Sequence, residues 1–211
     1  MCASYRFLCV CRRFAELPAC VASLPALQNL SVAANDLTNL PDTLGALTAL
    51  TKLDVRDNSL GALPDCVASL ERLQILSVQN NKLTALPEGL GLLPALRELG
   101  ASSNKLRTLP HDVSGWARLK KLIADHNELE EWDADLTGLA VLTELDLSFN
   151  KLRALPPSLE TLPALCVVRL GHNRLAELPP LDCVPCLAEL SAPSNALTAL
   201  PPLPPSLETL D

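Results

Sequence analysis

The residue types best suited to chemistry in this sequence are cysteine and histidine. Cys183 and Cys186 form a CxxC pair, a spacing found in structural zinc sites. Such a site normally needs two further Cys or His ligands at a matched spacing, and none lies near this pair. We therefore expect both cysteines to be ordinary surface residues, and we expect the protein to use no metal or other cofactor.

Histidine offers no clearer chemistry. His111, His126 and His172 do not accompany a candidate nucleophile in any pattern that the sequence reveals. A catalytic base must lie within hydrogen-bond reach of the group that it activates, and no spacing here predicts such a pair. The sequence therefore predicts a protein that is not an enzyme.

Composition and charge exclude further classes of function. The net charge is −7 and the pI is about 5.0, so no basic field is present to attract a nucleic acid backbone. No apolar stretch approaches the roughly 20 residues that cross a bilayer, so we expect no membrane span. The apolar run at 7–11 is too short for a signal sequence and is closed by Arg12 and Arg13, which favours a cytoplasmic protein.

Asparagine recurs with a fixed spacing, six times at 23 residues and once at 22. Aligning the chain on this series gives the phrase LxxLxLxxNxLxxLPxxLxxLxx, nearly intact at 73–95 and at 142–164. An internal repeat of this length predicts a solenoid whose coils stack on one another. The series comprises Asn35, Asn58, Asn81, Asn104, Asn127, Asn150, Asn173 and Asn195.

The phrase predicts one short strand in each coil. Alternate residues of LxLxx point the same way on a strand, so Leu53 and Val55 should face inward while Asp54 and Arg56 face outward. The chain then bends sharply at the asparagine, whose amide can both donate to and accept from the backbone groups left inside the bend. We therefore assign the whole asparagine series to structure rather than to binding.

The phrase resembles the leucine-rich-repeat superfamily, and its 23-residue form resembles the intracellular Ras-suppressor and Scribble type. The resemblance implies an α/β solenoid: a right-handed horseshoe with a parallel sheet on its concave face and short 3-10, irregular or helical segments on its convex limb. We expect a degenerate N-terminal repeat or cap at 1–26 and about eight repeats at 27–211. Counted backward from Leu30 and Val32, Phe7 and Cys9 take the equivalent positions of the first copy.

Three departures from the phrase lead to expectations of their own. Trp132 and Asp133 replace Leu and Pro in the repeat at 119–141, so the convex limb should bulge there or change its helical content. We expect Trp116 and Trp132, at leucine positions, to lie in the core. The sequence PSLETL at 205–210 resembles the 20-residue coils of bacterial effector proteins, and the chain stops at Asp211 within a strand. We therefore expect a longer natural protein or self-association through this end.

Cys2, Cys9, Cys11 and Cys20 loosely resemble the disulfide cap of extracellular leucine-rich-repeat proteins. Cys20 and Cys66 nevertheless occupy the same repeat position, which indicates ordinary repeat residues. We therefore expect reduced thiols and a cytoplasmic location, while a secreted immune-type receptor stays a weaker alternative.

The outward strand positions vary although the leucine positions stay constant, as expected for a recognition surface on a rigid scaffold. His126 and His172, two repeats apart, should be separated by roughly 10 Å at about 4.7–4.9 Å per strand. Exposed apolar groups ringed by charge are typical of interface hot spots, although the same residues also fit a surface without a partner. Our candidate partner-binding patch is Ile123, Asp125, His126, Asp146, Phe149, Arg169 and His172.

Two functions fit these features. The first is a non-catalytic scaffold or adaptor in intracellular signalling, which binds a partner such as a small GTPase or a phosphatase on its concave face. The second is a recognition domain cut from a larger enzyme, such as a kinase, a GTPase, a phosphatase or an effector ubiquitin ligase. In either case we expect that Phe149→Ala combined with Arg169→Glu abolishes partner capture and leaves the circular dichroism unchanged.

Overall fold

The computed structural model describes residues 7–9 and 14–211, which form the expected solenoid of stacked coils. Within these residues, ten short strands make one parallel sheet in which each strand pairs only with its neighbours in the chain. The strands, β1 to β10, are Phe7–Cys9, Asn29–Ser31, Lys52–Asp54, Ile75–Ser77, Glu98–Gly100, Lys121–Ile123, Glu144–Asp146, Val167–Arg169, Glu189–Ser191 and Thr209–Leu210.

The middle residue of each inner strand lies in the core. Leu53, Leu76 and Leu99 hold this place in β3, β4 and β5, and each is at most 1% exposed. They also pair with one another in register, so every coil adds an equivalent aliphatic layer. Because side chains alternate along a strand, the flanking residues point to the opposite, concave face. The sheet therefore presents a variable surface over a constant interior.

The returning limbs contain short 3-10 helices, five of them in the described chain. Each begins directly after a proline whose φ lies between −56° and −73°, because the pyrrolidine ring fixes this angle. A convex limb of short 3-10 segments is thus confirmed. These helices span Ala19–Ser23, Asp42–Ala46, Asp65–Ser69, Glu88–Leu92 and Pro157–Thr161.

Four limbs depart from this pattern: two adjacent ones in the middle of the chain, and the last two, which follow β8 and β9. Residues 119–141, where Trp132 replaces leucine, contain turns and no 3-10 helix, so the expected change in helical content is confirmed. The limb before it also lacks a helix although it keeps its Leu-Pro pair, which the sequence did not predict. Trp116 in that limb fills a leucine position, and its Nε1–H donates to the Leu90 oxygen at 2.9 Å. Both tryptophans are buried, as expected.

The first coil differs from the expectation by one residue. Leu8, and not Phe7, pairs with Leu30, so the alignment that placed Phe7 and Cys9 opposite Leu30 and Val32 is wrong. Every residue of the segment is apolar, so its pattern could not distinguish the two registers, and Leu8 packs partly buried against the core. The division of the chain at residue 26 stays a prediction.

The last coil is shorter than the others. Ser191 in β9 and Asp211 directly after β10 are hydrogen-bonded across a step of 20 residues, and Glu189 pairs with Thr209. The expected 20-residue coil is therefore confirmed. Leu200 and Leu210 are exposed there, and the self-association expected through this end stays a prediction. In the described part of the chain, no helix has the length and apolarity needed to cross a bilayer.

Candidate functional site

The asparagine series forms a column just behind the C-terminal ends of the strands. Asn104 donates from Nδ2 to the backbone oxygens of Val78 and Ala101 at 3.0 and 3.1 Å. Its Oδ1 accepts from the Leu83 N–H of the preceding coil at 3.0 Å. Each other asparagine of the series likewise accepts from the coil before it and donates to its own coil. These contacts support the structural assignment.

The residue before each asparagine has a left-handed backbone. Its φ is between 54° and 56° throughout, a conformation that costs roughly 1–2 kcal/mol for most residues other than glycine. Asp and Asn tolerate it best, whereas a bulky side chain is an outlier. Phe149 is the least expected member of the set, which comprises Ala34, Asp57, Asn80, Ser103, His126, Phe149, His172 and Ser194.

Three of these positions carry stacked rings. His126, Phe149 and His172, which we call the ring column, follow one another in consecutive coils. Phe149 stacks on both histidines with centroid distances of 4.2 Å and interplanar angles of 16°. Its two faces are therefore covered, yet the residue is still 44% exposed. The ring column presents the edges of three rings to solvent.

Asp125 connects the ring column to the sheet. Its Oδ2 lies 2.7 Å from Nδ1 of His126, and its Oδ1 accepts a hydrogen bond from the Ser102 hydroxyl of the preceding coil. Asp125 directly precedes His126 and follows β6 by two residues, so the strand end fixes the carboxylate. The first ring of the column is thereby oriented by a partly buried carboxylate.

Charged residues alternate across the concave face. Glu144 accepts from Lys121 Nζ and from Arg169 Nη1, both at 2.9 Å. Arg169 Nε also donates to Glu189 Oε1 at 2.9 Å. We call Lys121, Glu144, Arg169 and Glu189 the charged row; it runs from β6 to β9. Each of these residues is held in place by at least one neighbour of opposite charge.

The ion pairs shift the pKa of the central members of the row. The hydrogen bond from Lys121 and a second from Arg169 lower the pKa of the Glu144 carboxyl, although desolvation opposes them. Desolvation would lower the pKa of Arg169, but the bonds to Glu144 and Glu189 outweigh it and raise this pKa. Both groups are therefore held in their charged forms.

All seven residues of the predicted patch lie on β6 to β8 or on the turns directly after these strands. Ile123 pairs in register with Asp146, and Asp146 pairs with Arg169. The ring column lies beyond the C-terminal ends of the same strands. The patch is thus contiguous, while its role in partner binding stays a prediction.

The predicted patch left out Glu144 and Glu189, although both occupy outward strand positions. Glu144 lies on β7 within the patch and Glu189 lies on the next strand beyond it. Both bind Arg169, so the arginine is less available to a partner than its sequence suggests. The signal was present, because Lys121 and Glu144 occupy equivalent positions of adjacent strands with opposite charge, and Glu189 holds the same position on β9.

Outside this face, the described histidine and cysteine side chains that the sequence singled out lie apart from one another. His111 and Asp133 form an exposed pair at 2.6 Å, which raises the pKa of the histidine. In residues 7–9 and 14–211, no three His, Cys, Asp or Glu side chains are grouped to hold a metal ion. Cys20, Cys66, Cys166, Cys183 and Cys186 are free thiols, whereas the side chains of Cys2, Cys9 and Cys11 lie outside the described residues.

Comparisons with known proteins identify the family. A family model described as "Leucine-rich repeat region" matches residues 5–137, and a second, "Leucine Rich Repeat", matches residues 141–162. No curated protein matches the sequence. The Ras-suppressor and Scribble type is not distinguished by these matches.

Solved structures share the architecture along nearly the whole chain. A Leptospira interrogans LRR protein is 28% identical over 98% of this chain and 54% of its own, with a TM-score of 0.88. The leucine-rich repeat domain of the type III effector XopL is 28% identical over 92% of this chain and 72% of its own, with a TM-score of 0.81. The plant peptide hormone receptor RGFR1, in complex with RGF2, is 26% identical over 85% of this chain and 30% of its own, with a TM-score of 0.77.

The chain therefore spans about half of the Leptospira protein and under a third of the plant receptor. Leucine-rich-repeat domains are in general non-catalytic modules that bind proteins. The repeat phrase, the ten-stranded parallel sheet and the two matching family models agree. This chain belongs to the leucine-rich-repeat family.

Proposed function

We propose that this chain is a non-catalytic scaffold or adaptor that binds a protein partner on its concave face, centred on the ring column. The observation that carries this proposal is Phe149, an exposed aromatic residue in a left-handed backbone conformation. This backbone conformation recurs before every asparagine of the series, but a phenyl ring occupies it only at position 149, where a binding role would compensate for the loss of stability.

The surroundings of Phe149 favour an interface. Hot spots combine an aromatic anchor with neighbouring groups that exclude water once the partner is bound. Ile123 and Asp125 supply an apolar and a charged neighbour on β6 and just beyond it, and both are partly exposed. We infer that the partner covers the ring edges with an apolar group and meets the carboxylates of Asp125 and Asp146 with polar or basic groups.

A capture experiment with paired variants tests this proposal. Phe149→Ala with Arg169→Gln removes the anchor and the central arginine; glutamine is preferable to glutamate because an acid there would face Glu144 and Glu189. We expect this variant to lose at least nine-tenths of the specific partner captured from lysate, with an unchanged circular dichroism spectrum.

The matched control is Leu92→Ala with Arg118→Gln, which makes comparable changes at exposed positions outside the strands. It should capture the partner as well as the unaltered chain does. Undiminished capture by the Phe149 and Arg169 variant, or an equal loss in both variants, contradicts the proposal.

We further propose an intracellular, cytoplasmic role in signalling. The five described cysteines form no disulfide, which supports a reducing compartment. A small GTPase or a phosphatase stays our predicted class of partner. Titration of the thiols in the unfolded protein tests the compartment, because eight reactive thiols are expected from the sequence.

The second candidate is a recognition domain within a larger enzyme, such as a kinase, GTPase, phosphatase or effector ubiquitin ligase. It is favoured by the similarity to a domain of a type III effector and by the 20-residue last coil. The full reading frame around this sequence separates the two candidates, since an adjoining catalytic domain would establish the second.

A further inference from the structure

The concave face has a second feature, which lies on the N-terminal side of the ring column. A cavity of about 100 Å³ opens over Gly100, the last residue of β5. Ser77 and Ile123 flank Gly100 in register on β4 and β6. Gly100 has no positive φ, so its backbone does not require glycine. We call this cavity the Gly100 notch.

The side chain of Gln79 lies against Gly100. A Cβ at position 100 would overlap the Gln79 amide, so glycine is needed for this close approach. The Gln79 Oε1 atom is buried, and it is the one such side-chain oxygen or nitrogen in the described residues without a hydrogen-bond partner. A buried acceptor without a donor destabilises the chain, and a donor from a bound partner would remove this cost.

A second acceptor lies at the mouth of the notch. Glu98 begins β5 and is exposed, and within the described residues its carboxylate forms no ion pair or hydrogen bond. Its neighbour in register is Lys121, but the ammonium of Lys121 is held 2.9 Å from Glu144. The carboxylate of Glu98 therefore has a cation nearby without being paired to it.

We propose that the Gly100 notch receives a lysine or arginine side chain from an extended segment of the partner protein. This inference rests on the proposed function and adds the chemistry of one contact to it. The stem of the incoming side chain packs between Ile75 and Ile123, which line the notch. Its head donates to the free carboxylate of Glu98 and to the amide oxygen of Gln79, once that amide rotates off Gly100.

Selection from a display library of random 12-residue peptides, with the full chain as bait, tests this inference. We expect enriched peptides that share a lysine or arginine, and a loss of affinity of at least tenfold when norleucine replaces it in a synthetic peptide. Arginine and lysine versions of one peptide then show which head group fits better. Peptides enriched without any basic residue overturn the inference.

Variants of the chain locate the contact. Glu98→Gln removes the charge at the surface, and Gly100→Leu fills the notch; each should weaken the selected peptides at least tenfold. Glu98→Gln keeps the test valid if Gly100→Leu does not fold. The control Leu92→Ala should bind normally.

A third variant gives a readout without any peptide. Gln79→Leu removes the orphaned acceptor and should raise the melting temperature of the free chain while weakening the basic peptides. A clearly lower melting temperature would show that the Gln79 amide is satisfied in the free chain, which overturns the inference.

The outcomes separate this inference from the proposed function. Peptides that depend on Phe149 but bind equally to Glu98→Gln and Gly100→Leu leave the ring column as a binding site and exclude the notch. Failure to select any peptide that depends on either region contradicts both.

Discussion

At the scale of single residues, the repeated asparagine has the same structural role in every coil. The amide of Asn104 satisfies one N–H of the preceding coil and carbonyl groups of two coils, all close to the core. Buried backbone groups without partners are rare in proteins because each is costly. The sequence was sufficient to predict this role, since only an amide combines donors and an acceptor in so small a group.

Replacing Asn104 with alanine should therefore destabilise the chain strongly. The Leu83 N–H would lose its partner, at about 1–3 kcal/mol for a group left unsatisfied, and the Val78 and Ala101 oxygens would each lose one of two amide donors. We expect the unfolding free energy, measured with urea, to fall by about 2–4 kcal/mol.

The control for this change is Ser103→Ala. The equivalent position of an earlier coil is naturally alanine at Ala34, with the same left-handed φ, so the change should be nearly neutral. Equal unfolding curves for the two variants would show that the asparagine column does not stabilise the coils.

For Phe149, in contrast to the asparagines, we propose a role in binding rather than in stability. Its neighbours in the ring column stack on it, but its backbone conformation is unfavourable for a bulky residue. The sequence placed Phe149 on the exposed face without indicating the stacking, because repeat spacing locates a Cα position and does not give the direction of a ring.

Phe149→Asn should leave the stability within about 1 kcal/mol of the unaltered chain, because relief of left-handed strain offsets the lost ring contacts. Phe149→Leu should be less stable than Phe149→Asn in urea unfolding, since leucine keeps the strain and loses the rings. A fall of more than about 2 kcal/mol for the asparagine variant would show that the ring column is mainly a stabilising element.

At the scale of elements, the strands place charges in register and so create the charged row. Each strand is only three residues long in β6 to β9, and each contributes at least one charged side chain to the concave face. Sequence analysis identified these outward positions but not which of them pair. The pairings depend on side-chain rotamers that bring Arg169 between two glutamates.

The pKa shift of Glu144 predicts a pH dependence. Because the folded state lowers this pKa below its ordinary value of 4.5, the ionised carboxylate stabilises the fold at neutral pH. That contribution is complete above pH 4.5 and is lost as the pH falls through the lowered value. The unaltered chain should therefore be more stable than the Glu144→Gln variant at pH 7. The difference in unfolding free energy should be less than about 1 kcal/mol, because the ion pairs of Glu144 are partly exposed.

Urea unfolding between pH 3 and pH 7 measures this difference, which should shrink as the pH falls toward the lowered pKa of Glu144. Glu98→Gln is the control on the same sheet, since the Glu98 side chain forms no ion pair in the described residues. A difference for Glu144→Gln that stays constant with pH would contradict the assignment.

The Leu-Pro pair correctly predicts a short helix in several returning limbs, as at Pro64 and Pro87. Pro110 shows the limit of that rule, because its limb forms turns although the pair is present. A proline fixes its own φ, but the buried Trp116 side chain of the same limb is hydrogen-bonded to the Leu90 oxygen of the preceding coil. Such a contact depends on three-dimensional packing that the local phrase does not contain.

At the scale of the whole molecule, the constant period determines nearly everything about the fold. A 23-residue step with inward leucines builds one continuous aliphatic interior, and the sheet follows in chain order. The sequence was weakest at the first coil, where consecutive apolar residues allowed two registers, and at the concave surface. The orphaned Gln79 oxygen and the Gly100 notch depend on how neighbouring side chains pack, so only coordinates could reveal them.

The central claim is that the variable concave face, and not the convex limb, contacts the partner. Photo-crosslinking with p-benzoylphenylalanine at position 149 or position 92 tests this most directly, because both native residues are exposed and apolar. We predict a specific protein adduct from lysate at position 149 and none at position 92. An adduct formed at position 92, with none at position 149, would contradict the account.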